Sequence, residues 1–383
     1  MDKLAELIPM GTDIPWKAIN EVFGELLAPM GQTPQNPQWH GEGDVLTHTK
    51  MMLKALVQLD AYQALDTKKQ QAVFLAALLH DIGKPKCTRM EDGKWVSRGH
   101  GIIGAEMARQ VFWLELGLCG TPEKQQFRET VCDLIRYHSA PVYAIDDPDG
   151  KRRLMRIAAN GVQVPDFTLE LLCLLSQADV TGRISDDKAR QLEQIDLCRE
   201  MAKEAGCYDR PFGFPSAHTK YAYLSGRNVQ PEQPLYDDTW GEVILLSGLP
   251  GTGKDTWIQE NSPDVPMISL DAIRREMGLS PEKNQTAVVE EGRRRAMEYL
   301  RKKQGFVWNA TDLSPMVRQR QLELFTAYHA AVRIVYLETP WQEQLRRNRE
   351  RQYAVPESAI CQMLPKLIPP EEHEAYNVQW FCT

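Results

Sequence analysis

The stretch Val243-Ile-Leu-Leu-Ser-Gly-Leu-Pro-Gly-Thr-Gly-Lys-Asp-Thr256 constrains the fold of this chain more than any other. An aliphatic run reads as a buried strand, a glycine-rich turn follows, and a helical pattern then begins. Gly248, Gly251 and Gly253 let the backbone curl, with Thr252 in the turn, so that several N–H groups face one anion. Lys254 adds a positive charge at the helix N-terminus, and such a cradle suits the β- and γ-phosphates of a nucleoside triphosphate. The pattern Gly-x-x-x-x-Gly-Lys-[Ser/Thr] is met until its last position. There Asp255 replaces the hydroxyl that ligates Mg²⁺, and Thr256 comes one residue late. A carboxylate is a good hard ligand for Mg²⁺, and it also repels phosphate.

After this loop, residues 265–270, 306–310 and 331–337 read as strands with helices between them. The alternation predicts an α/β domain with a parallel, doubly wound sheet, whose ligands gather at the carboxyl ends of the strands. Three polar groups fall there. Asp271 opens a helix with Arg274 on the same face; it is either a helix cap or a general base for an acceptor hydroxyl, with Arg274 on a neighbouring phosphate. Trp308-Asn-Ala-Thr-Asp-Leu313 ends a strand with polar groups that need be no more than a turn. In Gln344-Leu-Arg-Arg-Asn-Arg-Glu-Arg351, arginines four apart share one helical face, as in a lid over transferring phosphate or in a salt-bridged surface helix.

The region from Asp44 to Cys207 reads instead as a series of helices with almost no strand-like alternation, an all-α module. At its centre the apolar helix of Ala72-Val-Phe-Leu-Ala-Ala-Leu-Leu ends in His80 and Asp81 before a glycine and a proline stop it. Neighbouring imidazole and carboxylate at an apolar helix end suit a divalent metal. His48, His100, His138 and Asp179, each on or beside its own predicted helix, are further candidate ligands. A single buried histidine is more often a hydrogen-bonded core residue; the whole set points to metal. Lys84 is either a phosphate-neutralising cation or a surface lysine at a helix end, and His40 is structural or lines the pocket.

A length of 383 residues predicts two cores. We read an all-α domain over 1–205, a connection over 206–240 rich in Pro, Gly, Tyr and Asp, and an α/β domain over 241–383. The aromatics of the connection predict an ordered loop packed on a domain. Apolar runs are too short for a membrane span, and Met1–Met10 is not a basic, apolar leader, so a cytoplasmic protein without a membrane partner is expected. Eight cysteines without a Cys-x-x-Cys pair are expected to be reduced packing residues. A formal charge of −7 argues against non-specific duplex binding. Local basic clusters at Arg293–Arg295, Arg301–Lys303 and Arg346–Arg351 either grip a nucleic-acid backbone or form solvated helix faces.

The order His48, His80-Asp81, His100, His138, Asp179 resembles the HD phosphohydrolase superfamily, whose motif is a His, a His-Asp doublet and a distal Asp. The two intervening histidines resemble the versions that hold two metals. His40-Gly-Glu-Gly-Asp-Val-Leu-Thr-His-Thr49 and His80-Asp-Ile-Gly-Lys-Pro85 are similar to HD regions attached to tRNA nucleotidyltransferases. Residues 242–374 resemble the 5′-hydroxyl polynucleotide kinases of RNA repair. Their Asp-x-x-Arg pair after the second strand implies a general base at Asp271 and a substrate-phosphate arginine at Arg274. Their lid pattern, Arg-Asn-x-x-Arg followed by Val-Pro, matches Arg347, Asn348, Arg351, Val355 and Pro356, and implies transition-state roles for Arg351 and Arg347. Asn-Ala-Thr-x-Leu matches Asn309–Leu313.

The whole chain is similar to the bifunctional HD phosphohydrolase–polynucleotide kinases, bacterial RNA end-healing enzymes. The resemblance implies ATP and Mg²⁺ for the kinase. For the HD site it implies one or two divalent transition metals such as Mn²⁺, Ni²⁺, Co²⁺ or Fe²⁺, and action on 2′,3′-cyclic or 3′(2′)-phosphate. Its substrates would be RNA or DNA ends passed to a separate ligase. Two rival readings are an HD nucleotidase joined to a small-metabolite kinase, and a nucleotide-sensing regulator in which Asp255 spoils the metal site. The sequence leaves RNA versus DNA preference and oligomeric state open.

Overall fold

The computed structural model describes residues 2–9, 11–279 and 285–383. It divides into two compact units, Met1–Leu118 with Glu123–Phe212, and Cys119–Pro122 with Gly213–Thr383.

The first unit is helical. In the helix Thr67–Leu79 every side chain from Ala72 to Leu79 is buried, because no polar residue interrupts the run and the helix is enclosed on all sides. Asp66 caps it, accepting from the Lys69 amide at 2.9 Å. The helices Val45–Leu56, capped by Asp44, and Leu169–Thr181, capped by Thr168, pack on it and on each other. Fully burying one aliphatic side chain is worth ~1.5–3 kcal/mol, so these three helices form a firm mount for whatever projects from their ends. A two-stranded hairpin, β1 (Arg89–Glu91) against β2 (Lys94–Val96), departs from the all-helical expectation. Its turn is Asp92-Gly93 with φ of 48° and 75°, the left-handed pair that a tight hairpin demands.

The second unit holds a five-stranded sheet, every pairing parallel, in the order β4-β5-β3-β6-β7. The strands are β3 (Glu242–Ser247), β4 (Met267–Ser269), β5 (Val307–Asn309), β6 (Ala331–Glu338) and β7 (Asn377–Cys382). Val243 and Leu245 enter the core on one face, Ile244 and Leu246 on the other. Burial on both faces is why this strand reads as a continuous apolar run. Ser269 pairs with Asn309, and Leu246 with Asn309 on its other side, so β3, β4 and β5 end together at one edge.

Three of these strands, β4, β5 and β6, fall on the runs that the sequence predicts after the phosphate loop, whereas β7 matches no predicted strand. Its residues alternate only partly between buried and exposed on a sheet edge. Of the expected connection, residues 206–212 fall in the first unit and 213–240 in the second, where a helix, Ala217–Leu224, is capped by Ser216. Tyr221 stacks on Tyr376 at 4.4 Å and the Trp240 indole donates to the Tyr328 carbonyl at 2.7 Å, which fixes the segment. Among the described residues no helix is long and apolar enough to cross a membrane.

Candidate functional sites

In the first unit, His48, His80, Asp81, His100, His138 and Asp179 come together. His80 follows the central buried helix, and its Nδ1 donates to the Ala77 carbonyl at 2.9 Å. His100 Nδ1 donates to the Ser97 carbonyl and His138 Nδ1 to the Ile135 carbonyl, each at 2.7 Å. In all three the partner lies three residues upstream. A carbonyl can only accept, so each Nδ1 carries the proton and each Nε2 presents a lone pair. The fourth ring, His48, turns Nδ1 to Glu42 Oε1 at 2.9 Å and Nε2 to Asp179 Oδ1 at 2.9 Å.

The Nε2 atoms thus converge. His80 Nε2 is 3.0 Å from Asp81 Oδ2 and 3.9 Å from Asp179 Oδ1. His100 Nε2 is 3.2 Å from His138 Nε2 and 3.4 Å from Asp81 Oδ1. Two potential ligand groups result, His48–His80–Asp179 and Asp81–His100–His138. Gly83 makes the second possible. A Cβ there would meet the His100 carbonyl at 2.1 Å, so only glycine lets the helix His100–Leu114 begin beside Asp81.

The electrostatics suit a cation. Buried carboxylates at Asp81, Asp179 and Glu42 face Lys84, 2.7 Å from Asp81 Oδ2, and Arg183, paired with Asp179; against burial, which lowers it, hydrogen bonds to Asp179 and Glu42 raise the His48 pKa. Burial alone would raise the Asp81 and Asp179 pKa values. Against it, His80 and Lys84 hold Asp81, and Arg183 and His48 hold Asp179, well below the carboxylate range. Burial drives His138 down to about 3, helped by His100 and His80, which keeps it a neutral donor. Among the described residues, His80 Nε2 and both Asp81 oxygens are buried without a hydrogen bond of good geometry, Oδ2 meeting Lys84 as an ion pair. Such groups are rarely left orphaned, and a divalent ion would satisfy them. The residues present therefore fit a metal centre.

Lys84 is not a surface lysine: it is 8% exposed and also donates to Gln35 Oε1 at 2.7 Å. His40 donates to Glu42, and burial lowers its pKa to about 4. Glu42 and Arg183 escaped the sequence reading. Arg183 was findable one helical turn after Asp179, whereas Glu42 lies inside the quoted His40–Thr49 motif with no spacing to mark its role.

In the second unit the loop after β3 turns through Gly248, Gly251 and Gly253 at φ of 148°, 86° and 82°. A Cβ at Gly251 would meet the Gln344 carbonyl at 2.8 Å. Lys254 donates to the carbonyls of Gly248 and Leu249 at 2.8 and 2.9 Å, and lost hydration lowers its pKa to about 8. The Thr252 hydroxyl is buried and donates to the Leu249 carbonyl, shaping the loop from below, whereas Thr256 is exposed. Asp255 is also exposed: Oδ1 accepts from Asn309 Nδ2 at 2.7 Å and Oδ2 lies 3.7 Å from Arg351.

A cavity of about 1740 Å³ opens over this loop, lined among others by Lys254, Asp255, Asp271, Arg274, Arg347 and Arg351. Ser269, not Asp271, caps the following helix, accepting from the Ala272 amide at 3.2 Å. Asp271 keeps a largely exposed carboxylate that meets Arg274 at 3.1 Å. Arg347 pairs with Glu343 at 2.7 Å and with the Thr383 hydroxyl at 3.1 Å. Gln344 donates to the Pro250 carbonyl, and Asn348 exchanges two hydrogen bonds with the Val355 backbone, so both tie the arginine helix in place. Arg346 and Arg349 are surface partners of Glu343, Glu350 and Glu357. Asp312, another residue the sequence reading left without a role, lines the same cavity at φ 38°; burial raises its carboxyl to about 7 while it accepts from the Trp308 indole at 2.9 Å.

Two family models match the chain, the HD domain over residues 45–179 and the AAA domain over residues 243–370. The first match covers the six clustered His and Asp residues, and the second covers the glycine-rich loop, Asp271 and the arginine helix. The chain therefore joins a helical HD phosphohydrolase-type domain to a P-loop, kinase-like α/β domain. A curated relative, the Multifunctional CCA protein of Hahella chejuensis (strain KCTC 2396), is 26% identical over 166 residues, which is 43% of this chain. The match spans 35% of that relative's length.

Proposed function

We propose that the chain heals nucleic-acid ends: the P-loop domain phosphorylates a 5′-hydroxyl from ATP, and the HD domain removes a terminal 2′,3′-cyclic or 3′(2′)-phosphate. The observation that carries the kinase half is the placement of Asp271, uncapped and solvent-facing, on one cavity with Lys254, Arg274 and the Arg347/Arg351 helix. In this reading Asp271 takes the proton of the acceptor hydroxyl, Arg274 holds the neighbouring acceptor phosphate, and Lys254 neutralises the β- and γ-phosphates. Arg351 and Arg347 stabilise charge on the transferring group. Asp255 would hold Mg²⁺ in place of the missing hydroxyl, its carboxylate oriented by Asn309.

The cavity is also lined by Arg293 and Arg320, further cations beside those at Arg274, Arg347 and Arg351. Such extra cations favour an acceptor with several phosphates, a polynucleotide, over a small metabolite.

For the HD half, His48, His80, Asp81, His100, His138 and Asp179 would hold one or two transition-metal ions, whose chemistry is to clamp a phosphate ester and lower the pKa of a water. Around them the chain's own groups act by position. The carbonyls of Ala77, Ser97 and Ile135 fix the ring tautomers, Arg183 anchors Asp179, and Lys84 stands at Asp81 as a cation toward substrate phosphate.

The test is end-group analysis of an RNA bearing 5′-OH and 2′,3′-cyclic phosphate, incubated with the protein, ATP and Mg²⁺ or Mn²⁺. Conversion to 5′-phosphate and 3′-OH ends is expected. If neither end changes while free nucleosides or mononucleotides react, the small-metabolite reading replaces this one.

A further inference from the structure

Outside both sites, the segment leading into the second unit carries a cluster that neither uses. His218, on the helix Ala217–Leu224, and Asp237 and Asp238, farther along the same segment, each offer a ligand atom, all within 4.8 Å of one another. His218 is 6% exposed, its ring beside that of Tyr376 with centroids 5.7 Å apart. Among the described residues its buried Nδ1 has no hydrogen-bond partner, although Asp237 Oδ1 is 3.4 Å away, and Nε2 faces Asp238 Oδ1 at 3.9 Å.

These separations are long for an N–H···O bond. An ion binds an imidazole through one nitrogen, and the 3.4 Å from Nδ1 to Asp237 Oδ1 approaches the spacing of two donors on a single ion, roughly 3.3 Å for tetrahedral bonds near 2.0 Å; Asp238 completes the group within the 4.8 Å span. The carboxylates already have outer partners. Asp237 Oδ1 accepts from the Thr239 amide at 2.9 Å, and Asp238 Oδ2 lies 2.8 Å from Nδ1 of His329, a residue with φ 58° beyond the helix Pro315–Ala327. Outer partners of this kind orient metal-ligating carboxylates.

We propose that His218, Asp237 and Asp238 form a divalent transition-metal site in the second unit, with His329 positioning Asp238. One imidazole and two carboxylates select a borderline ion such as Zn²⁺ over Mg²⁺ or Ca²⁺. Its three ligands all lie within residues 218–238, so the ion closes that segment on itself, and His329, through Asp238, ties it to the rest of the unit.

Equilibrium dialysis against low-micromolar Zn²⁺ followed by elemental analysis tests this on the full chain. The variants are Asp237→Asn/Asp238→Asn, whose changes are at exposed positions, and the same pair in an Asp81→Ala/Asp179→Ala background that removes HD-site ligands. Loss of one bound ion per chain in both comparisons is expected, together with a smaller Zn²⁺-induced rise in Tm. Equal stoichiometry with and without Asp237 and Asp238 would overturn the proposal and leave the cluster as an ion-pair link. Should the HD background fail to fold, the direct comparison with wild type carries the same two outcomes.

Discussion

Glu42 reaches the Nδ1 side of both His40 and His48 with one oxygen, and accepts the Ile184 amide with the other at 3.0 Å. A carboxylate behind a metal-ligating imidazole orients the ring, and losing it typically weakens metal affinity ~10–100-fold. Glu42→Gln is expected to lower Mn²⁺ affinity by about that factor in calorimetric titration, with unchanged circular dichroism. Undiminished affinity would leave Glu42 as a loop tether only. If Asp271 is the proton acceptor proposed above, Asp271→Asn is expected to slow 5′-phosphorylation ~10²–10⁴-fold while ATP binding is nearly unchanged. Lys254 belongs to the same scale. Burial lowers it to about 8, with Arg351 adding to the effect and Asp255, Asp271 and Asp312 opposing it. Below that value the ammonium is charged and attracts triphosphate; above it the charge is lost. The Kd for ATP is therefore expected to rise as pH climbs from about 7 to about 9, and Lys254→Arg, which stays charged, to flatten the profile. A pH-independent Kd in the wild type would show that the loop amides alone set affinity.

At the scale of elements, one glycine decides whether two helices can share a site. A Cβ on Gly83 would stand 2.1 Å from the His100 carbonyl and 2.7 Å from the Gly104 amide nitrogen. Gly83→Ala is expected to push the helix His100–Leu114 away from Asp81, at an overpacking cost of about 1–3 kcal/mol. A lower Tm and fewer bound metal ions per chain should follow; wild-type values of both would mean that the backbone absorbs the methyl. The sequence made the elements themselves partly legible. The buried helix Thr67–Leu79 and the strand Glu242–Ser247 are uninterrupted apolar runs bounded by stop signals. The hairpin β1–β2 was missed although Asp92-Gly93 announces it, because its strands are three residues each and too short for a period to emerge. The choice between cap and base at Asp271 was open in the sequence, because spacing does not fix where a helix starts. The Ser269 side chain, by bonding the Ala272 amide, removes the cap reading.

For the whole molecule, each site is built from residues of one unit. Asp81→Ala is accordingly expected to abolish phosphate release from a 2′,3′-cyclic end and leave 5′-phosphorylation intact, and Lys254→Ala to do the reverse, both read on one doubly labelled RNA. Loss of both activities in either variant would show that the sites depend on each other. The sequence by itself determined the chemistry that is local. A phosphate loop is contiguous, so its glycines, its lysine and the departure at Asp255 can be read in order, and the His80-Asp81 doublet marks its helix end. Only the tertiary structure decided which distant groups meet. His48 and Asp179, 131 positions apart, approach to 2.9 Å, and Lys84 turns from surface to interior, because helix packing around the enclosed core sets those distances. No periodicity in the chain encodes them. The same holds for Asp255: its neighbours Asn309 and Arg351 come from a strand end and a helix end that meet it only once the sheet is assembled.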